Sequence, residues 1–384
     1  MGLIKETITK IKNLKNLTVI GVTDITIKSI SSLFWFYMAS ILSAENYGEI
    51  NYLITIAGIG STITSFGAAT SLTVYVAKKI KIEPPLYIIS LSAGGIGALI
   101  VFLMFDTFVI SVFLIGHILF VLGMSELLGR KLYVQYSKFV ITQNLLMVSL
   151  SLGLYYLLGF EGVVLGIGLS YFPYILRIVK GFQRSKIDFS VLKSRKMVLT
   201  NNYILNLVGV FSTSVDRLIT APMLGFALLG NYAVGLQVLT VIAIIPANVF
   251  RYILPQDASG APTEKLKKAT IIITVILVII AIFVSPIIMP IVFPKYTEST
   301  EIIQIMALSV IPSTIGAMYT SKLLGNEKSL TVLIGSLIYL ISSTIGILVL
   351  GNMWSINGVA VTLVISATVQ MSFLIIMSKI DKIT

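Results

Sequence analysis

A chain of 384 residues that is 56% hydrophobic and 11% charged, with a mean hydropathy of +0.98, is far more apolar than a soluble domain, in which about a quarter of residues are charged. It contains no cysteine and one histidine, which excludes disulfides, thiolate nucleophiles and multi-histidine metal sites. The net charge of +12 does not indicate a nucleic-acid partner, because the basic residues cluster between apolar runs, as in membrane proteins.

The apolar residues form twelve runs, each about long enough to cross a bilayer as a helix. The longest polar links between them, 183–196 and 256–268, are rich in Lys and Arg. The first link separates two predicted six-helix domains, 1–188 and 189–384. The sequence therefore predicts an all-α polytopic membrane protein with twelve transmembrane helices. The predicted spans are 18–43, 47–77, 86–105, 107–128, 137–158, 162–180, 199–224, 229–254, 269–293, 301–323, 329–350 and 357–378.

The distribution of basic residues predicts the orientation of these spans. With a cytoplasmic N-terminus, every Lys and Arg falls on the inner side except Lys295, in an outer loop, and Lys28 and Arg217, within spans. Such a bias is what the positive-inside rule requires. We therefore expect both termini in the cytoplasm.

The second half of the chain resembles the first. In the seventh span, polar residues recur every three or four positions and predict a stripe along one helix face. A similar stripe lies in the first span, where Asp24 aligns with Asn206 and Lys28 with Val210. The same register aligns the turn 47–52 with 229–234, and the segment 159–165 resembles 355–361. Chance similarity between apolar segments is the alternative. Parallel repeats of this kind usually bind substrate at their interface.

Three segments carry a family resemblance. Residues 39–48 resemble the first outer turn of prokaryotic polysaccharide biosynthesis flippases, 215–219 with 224–225 and 230–233 resemble their seventh-span signature, and 303–317 with 324–328 resemble their tenth span. The family is the O-antigen and teichoic-acid flippase branch of the multidrug, oligosaccharidyl-lipid and polysaccharide exporter superfamily.

The resemblance implies two six-helix bundles around a central cavity, in the prokaryotic cytoplasmic membrane. It also implies translocation of polyprenyl-diphosphate-linked glycans to the outer leaflet for cell-surface polysaccharide biosynthesis. The expected partners are the lipid-linked glycan and membrane lipid. We expect a monomer that works with glycan-assembly proteins.

Two basic residues within spans are the first candidates for substrate binding. A charge at membrane depth costs about 2.5–3.5 kcal/mol on insertion scales, so Arg217 and Lys28 are expected to face a cavity or a partner. A guanidinium can bind phosphate oxygens in pairs, which suits a diphosphate. The alternatives are an ion pair between Lys28 and Asp24, one turn apart, and pairing of Arg217 with an acid or a carbonyl on a neighbouring helix.

Further polar residues near the spans are candidates for substrate contact. Asn206 could bond sugar hydroxyls, or simply bond another helix. Arg177 and Arg251, near inner helix ends, could attract the diphosphate or anionic head groups, although the positive-inside rule also explains them. Glu126 and Arg130 are expected to form an i,i+4 pair on the surface.

Ion coupling has three candidates. Asp24 and Asp216 are the acids deep within spans, and each could bind a coupling ion or act as the counter-ion of a neighbouring base. His117 could relay protons or hydrogen-bond a neighbouring helix.

The sequence contains no catalytic constellation and no phosphate-binding Gly-rich loop with lysine, so we expect neither an enzyme nor a cofactor or metal. A flippase is the favoured function. The alternatives are a cation-coupled small-molecule or drug exporter of the same superfamily and, from another class, a membrane-embedded glycan polymerase or ligase.

Overall fold

A computed structural model describes the backbone of residues 2–380 and the side chains of residues 21–380, and every regular element in this part of the chain is helical. The helices of the first half are α1 (Gly2–Ile41), α2 (Ala44–Thr64 and Ala68–Ala77), α3 (Glu83–Phe105), α4 (Phe108–Gly129), α5 (Tyr133–Leu158) and α6 (Phe160–Arg184). After a single helical turn, Ser190–Lys193, the second half contributes α7 (Lys196–Leu224), α8 (Phe226–Ile242 and Ile244–Ala258), α9 (Glu264–Val292), α10 (Ser299–Gly325), and α11 and α12, which together form Ser329–Ile380.

The helices have the length and apolarity of membrane spans. Eight of those in the described residues meet this test singly, and ten do if the two bent pairs, α2 and α8, each count as one span. Ser329–Ile380 is one of the eight, although its backbone leaves the helical region at Trp354 and Ser355, where α11 passes into α12. Each predicted span coincides with helical residues, and the predicted all-α polytopic class is confirmed.

The turns between the last two helices of each half have the same backbone conformation. Gly159, between α5 and α6, has φ 66° and ψ −147°, and Ser355, between α11 and α12, has φ 53° and ψ −138°. Further into the second helix of each pair, Gly162 and Gly358 lie so close to the carbonyls of Leu154 and Leu350 that a Cβ would overlap them. The two segments that resemble each other in sequence therefore repeat in structure as well.

The starts of the second helices form a reciprocal contact. A Cβ on Gly48 in α2 would overlap the carbonyl oxygen of Phe226, and a Cβ on Gly230 in α8 would overlap that of Ala44. The register that aligns the turn 47–52 with 229–234 also exchanges these two pairs. Further along, α2 bends by 49° and α8 by 47°, so the second helix of each half is broken. The pseudo-repeat is thus built into the helix packing.

The chain divides into two compact units whose boundaries fall inside helices. Unit 1 comprises the chain up to Phe34 and Leu53–Val210, and unit 2 comprises Trp35–Tyr52 and the chain from Phe211 onward. Helices α1, α2 and α7 therefore contribute residues to both units. The six-helix domains 1–188 and 189–384 describe the repeat in sequence, and that division stays a prediction.

Candidate functional site

The polar stripe of α7 contributes to both compact units. In unit 1, Asn202 donates from Nδ2 to Ser71 Oγ at 3.1 Å, and Asn206 accepts from Thr70 Oγ1 at 3.3 Å, so both amides bond α2. In unit 2, Asp216 is buried and Thr220 is fully buried. The interhelical alternative for Asn206 therefore has direct geometric support.

Asp216 and Arg217 form a compact polar group in unit 2. Tyr232 of α8 donates its hydroxyl to Asp216 Oδ2 at 2.7 Å, and the backbone N–H of Arg217 donates to Asp216 Oδ1 at 2.8 Å. The guanidinium donates from Nη2 to the Thr213 carbonyl, on its own helix, at 3.0 Å. These bonds hold the carboxylate on both oxygens, so its position is fixed by α7 and α8 together.

The guanidinium of Arg217 retains binding capacity. Its Nε lies 3.8 Å from Asp216 Oδ1, beyond hydrogen-bond distance, and has no hydrogen-bond partner among the described residues. The buried Ser212 Oγ, one turn away on α7, likewise has none in this part of the chain. A buried polar atom without a partner is costly, and because both atoms are buried, a ligand would reach Arg217 through the exposed part of its side chain, which is 26% exposed.

Arg217 lines a cavity of about 510 Å³ within unit 2, which we call the Arg217 cavity. Helices α7, α8, α10, α11 and α12 form its walls, and most of the lining side chains carry a hydroxyl, amide or charge. They include Asp216, Thr240, Ser313, Ser336, Tyr339 and Gln370. Such a wall can bond hydroxyl-rich or anionic ligands, which a purely apolar cavity cannot.

A second cavity of about 490 Å³ adjoins the first and contains Arg251 in its wall. The two cavities share Ala243, Val310, Ser313, Ser336 and Gln370. Ala243 is the residue at which α8 bends, and the second segment of α8 carries Arg251. Asp216 and Arg217 therefore line one part of a recess formed by the two adjoining cavities, and Arg251 lines the other.

Lys28, Asp24 and His117 belong to unit 1, and none of them lines this recess. In the described part of the chain no ion pair joins half-buried Lys28 to Asp24, whose Oδ1 instead lies 3.5 Å from the Tyr136 hydroxyl. His117 Nδ1 lies 2.6 Å from Ser61 Oγ on α2, and its ring is stacked between Phe113 and Phe120. The contact with α2 is the structural alternative predicted for this histidine.

Arg177 lies in a buried ionic cluster in unit 1. Its Nη2 and Nε lie 2.6 and 3.0 Å from Glu126 Oε2. Glu126 also binds Arg130 and Arg184, and Arg130 reaches Glu83 at 2.7 Å. We call these five residues the Glu126 cluster. The side chain of Glu126 has no exposed surface and Arg177 is 3% exposed. The i,i+4 pair of Glu126 with Arg130 is therefore confirmed, but its expected surface position is wrong.

Sequence reasoning missed Tyr232, Tyr339 and the serines of the recess. Hydroxyl side chains are common in membrane spans and carry no distinguishing spacing. Tyr232 had one signal, since it lies within the turn 229–234, which resembles the turn 47–52 of the first half. Among the described residues no group of three or more His, Cys, Asp or Glu side chains is placed to hold a metal.

The architecture matches solved transporter structures at low sequence identity. The lipid II flippase MurJ in an inward closed conformation aligns with a TM-score of 0.71 and 14% identity, over 93% of this chain and 87% of that chain. An inward-facing multidrug resistance MATE family transporter of the MOP superfamily aligns with a TM-score of 0.65 and 14% identity, over 93% and 94% of the two chains.

A further match is a MOP superfamily transporter from Pyrococcus furiosus, for which a reversed polarity of the binding pocket suggests a different function. Its TM-score is 0.61 at 14% identity, over 96% of this chain and 95% of that chain. No protein-family model and no curated protein matches the sequence. The chain has the fold of these MOP superfamily transporters.

Proposed function

We propose that this protein is a multi-pass transporter that flips a polyprenyl-diphosphate-linked oligosaccharide across the prokaryotic cytoplasmic membrane, with both termini in the cytoplasm. The observation that carries the proposal is the recess of unit 2, where Arg217 and Arg251 line two adjoining cavities with hydroxyl and amide side chains between them. The fold supports it, since one solved structure with this architecture is a lipid II flippase.

The chemistry of the recess suits the polar part of such a substrate. A guanidinium offers several N–H donors in one plane and binds phosphate oxygens in pairs. Arg217 lines the cavity and its side chain is 26% exposed, so a phosphate in the cavity can receive hydrogen bonds from the exposed part of its guanidinium. Ser313, Ser336 and Gln370, in the wall common to both cavities, can bond sugar hydroxyls.

Asp216 and Arg217 have complementary roles in this proposal. Arg217 contacts the diphosphate, while Asp216, held by Tyr232, is the site for a coupling cation. Lys28 and Asn206, on the inner parts of α1 and α7, are secondary candidates for substrate contact, and Asp24 and His117 for ion coupling, because none of the four lines the recess.

A second candidate function is cation-coupled export of a small molecule. The buried carboxylate of Asp216 favours it, because a cationic compound would be attracted to an acid in the wall of the recess. MATE exporters also have this architecture. The two functions differ in which residue of the Asp216–Arg217 pair meets the substrate.

The test uses the full chain reconstituted in vesicles with a fluorescent lipid-linked oligosaccharide and, separately, a fluorescent organic cation. Arg217→Ala is expected to slow glycan flipping about 10- to 100-fold, since a hydrogen bond to a charged group contributes about 1.5–3 kcal/mol. Lys196→Ala, which removes an exposed cation outside the recess, is the matched control and should flip like the wild type.

Three results decide between the functions. Equal leaflet distributions for wild type, Arg217→Ala and empty vesicles would overturn glycan flipping. Export of the organic cation that is lost in Asp216→Asn but kept in Arg217→Ala would instead establish the second candidate. Slower flipping in Arg217→Ala with no cation export is the result we expect.

A further inference from the structure

A basic crevice of about 970 Å³ lies in unit 1, where α6 ends and the link to α7 begins. Lys81, Arg184 and Lys186 contribute cations to its wall, and Asp188 is its one acid. The backbone N–H of Ser190 donates to Asp188 at 2.9 Å. Hydrogen bonds from Ser190 hold the pKa of Asp188 below its usual range, so this carboxylate stays ionised and engaged with its own chain. The crevice keeps a net positive charge.

Arg184 connects this crevice to the interior of unit 1. Its Nη1 lies 3.0 Å from Glu126 Oε1, which is its one hydrogen bond among the described residues, and its side chain is 41% exposed. A guanidinium has five N–H donors, so most of those on Arg184 are available to an anion in the crevice. Glu126 thereby fixes the position of Arg184 and leaves its outer donors open.

Large apolar side chains are exposed beside these cations. Ile187 and Phe189, in the link, are 55% and 49% exposed, and Ile175 and Val179 on the last part of α6 are 47% and 48% exposed. Buried Leu192 anchors the link to the rest of the unit. Exposed apolar side chains interleaved with Lys and Arg are the composition of a segment that lies at the boundary between lipid head groups and acyl chains.

We propose that the Lys81–Arg184–Lys186 crevice binds the phosphate of an anionic phospholipid, with Ile187 and Phe189 inserted among its acyl chains. A phosphate in the crevice meets three cations, and the apolar side chains explain why that phosphate belongs to a lipid rather than to a solute. The site is separate from the recess of unit 2 and does not depend on what is transported. It assigns to Arg184 the lipid contact expected of Arg177, whose guanidinium is buried against Glu126.

The test measures binding of phosphatidylglycerol to the purified full chain by native mass spectrometry, with phosphatidylcholine as the neutral lipid. Lys81→Ala combined with Lys186→Ala is expected to weaken phosphatidylglycerol binding about 25-fold, since each base contributes about fivefold at an anionic surface. The matched control is Lys193→Ala with Lys196→Ala, which removes two exposed cations outside the crevice. It should lose less than about threefold. Thermal unfolding of each variant verifies that it is folded.

Further measurements test whether the bound phosphate belongs to a lipid or to a solute. Ile187→Ser with Phe189→Ser should weaken phosphatidylglycerol binding while leaving the weak binding of inorganic phosphate unchanged. Equal losses in the two lysine pairs would mean that bulk charge attracts the lipid, and would overturn the crevice. If inorganic phosphate displaces phosphatidylglycerol at equal concentration, the occupant is not a lipid. Unchanged lipid binding in the Ile187→Ser, Phe189→Ser variant would lead to the same conclusion.

Discussion

Each half of the repeat has a buried carboxylate near the start of its third helix and the end of its fourth helix. The side chains that contact this carboxylate differ between the two halves. In unit 1, Glu126 contacts three arginines. In unit 2, Asp257 at the end of α8 accepts from Lys267 Nζ at 2.9 Å, from Ser321 Oγ at 2.6 Å and from Thr263 Oγ1. The carboxylate in unit 1 is thus surrounded by guanidinium groups, whereas the carboxylate in unit 2 is surrounded by one ammonium and two hydroxyls.

The two clusters differ in which partners the buried base keeps if the carboxylate is neutralised. Arg177 is 3% exposed, and its one other hydrogen-bond partner among the described residues is the amide of Gln135, at 3.2 Å. Lys267 also lies 3.8 Å from Glu264, which is 74% exposed. A buried base without an acid is far more costly than one with a second acid nearby. The two clusters should therefore differ in sensitivity although both are buried.

The largest expected effect is in unit 1. Glu126→Gln should lower the free energy of unfolding by about 3–5 kcal/mol, because it leaves the buried guanidinium of Arg177 without a counter-ion. Unfolding by sodium dodecyl sulfate in mixed micelles, followed by circular dichroism, measures the change.

A double variant isolates the cause of that loss. Adding Arg177→Met to Glu126→Gln should recover much of the stability, since Arg130 keeps Glu83 and Arg184 is partly exposed. If the double variant is no more stable than Glu126→Gln alone, the stranded charge of Arg177 is not the reason for the loss.

The matching change in unit 2 should have a smaller effect. Asp257→Asn keeps an acceptor for Ser321 and leaves Lys267 near Glu264, so we expect a loss of about 1–3 kcal/mol. The same unfolding titration applies, and Glu264→Gln, at an exposed position, should change stability by less than about 0.5 kcal/mol. A loss for Asp257→Asn as large as that for Glu126→Gln would remove the contrast between the clusters.

The smallest effect concerns the two equivalent turns, between α5 and α6 and between α11 and α12. Ser355 adopts a left-handed conformation that its counterpart Gly159 adopts without strain, so Ser355→Gly should stabilise the protein by about 1 kcal/mol. Gly159→Ser should destabilise it by a similar amount. The space around Gly159 is open, so the cost comes from the positive φ of the backbone and not from a clash of the added side chain. Unfolding midpoints of the two variants measure both, and shifts of the same sign would contradict the equivalence of the turns.

The sequence predicted the helices and the repeat because both depend on local pattern, namely apolar runs and the glycines of short turns. It did not predict the burial of Glu126, because an i,i+4 pair has the same spacing on a surface as in a core, and Arg177 is 51 residues away. Nor did the sequence predict that Arg251 lies in the same recess as Arg217. That proximity depends on the bend of α8 at Ala243; Pro246, which cannot hydrogen-bond the Ile242 carbonyl, predicts a break here but not the direction in which the helix turns.

The reciprocal contact of Gly48 with Phe226 and of Gly230 with Ala44 has the geometry of an isologous interface, in which residue i of one copy meets residue j of the other and the converse. Two separate chains, each with one set of six helices, would recognise each other through this surface as a symmetric dimer. Joining them in one polypeptide makes the encounter intramolecular and so independent of protein concentration. It also frees the two copies to diverge, so that Arg217 can occupy one of them and Trp35 the equivalent position in the other.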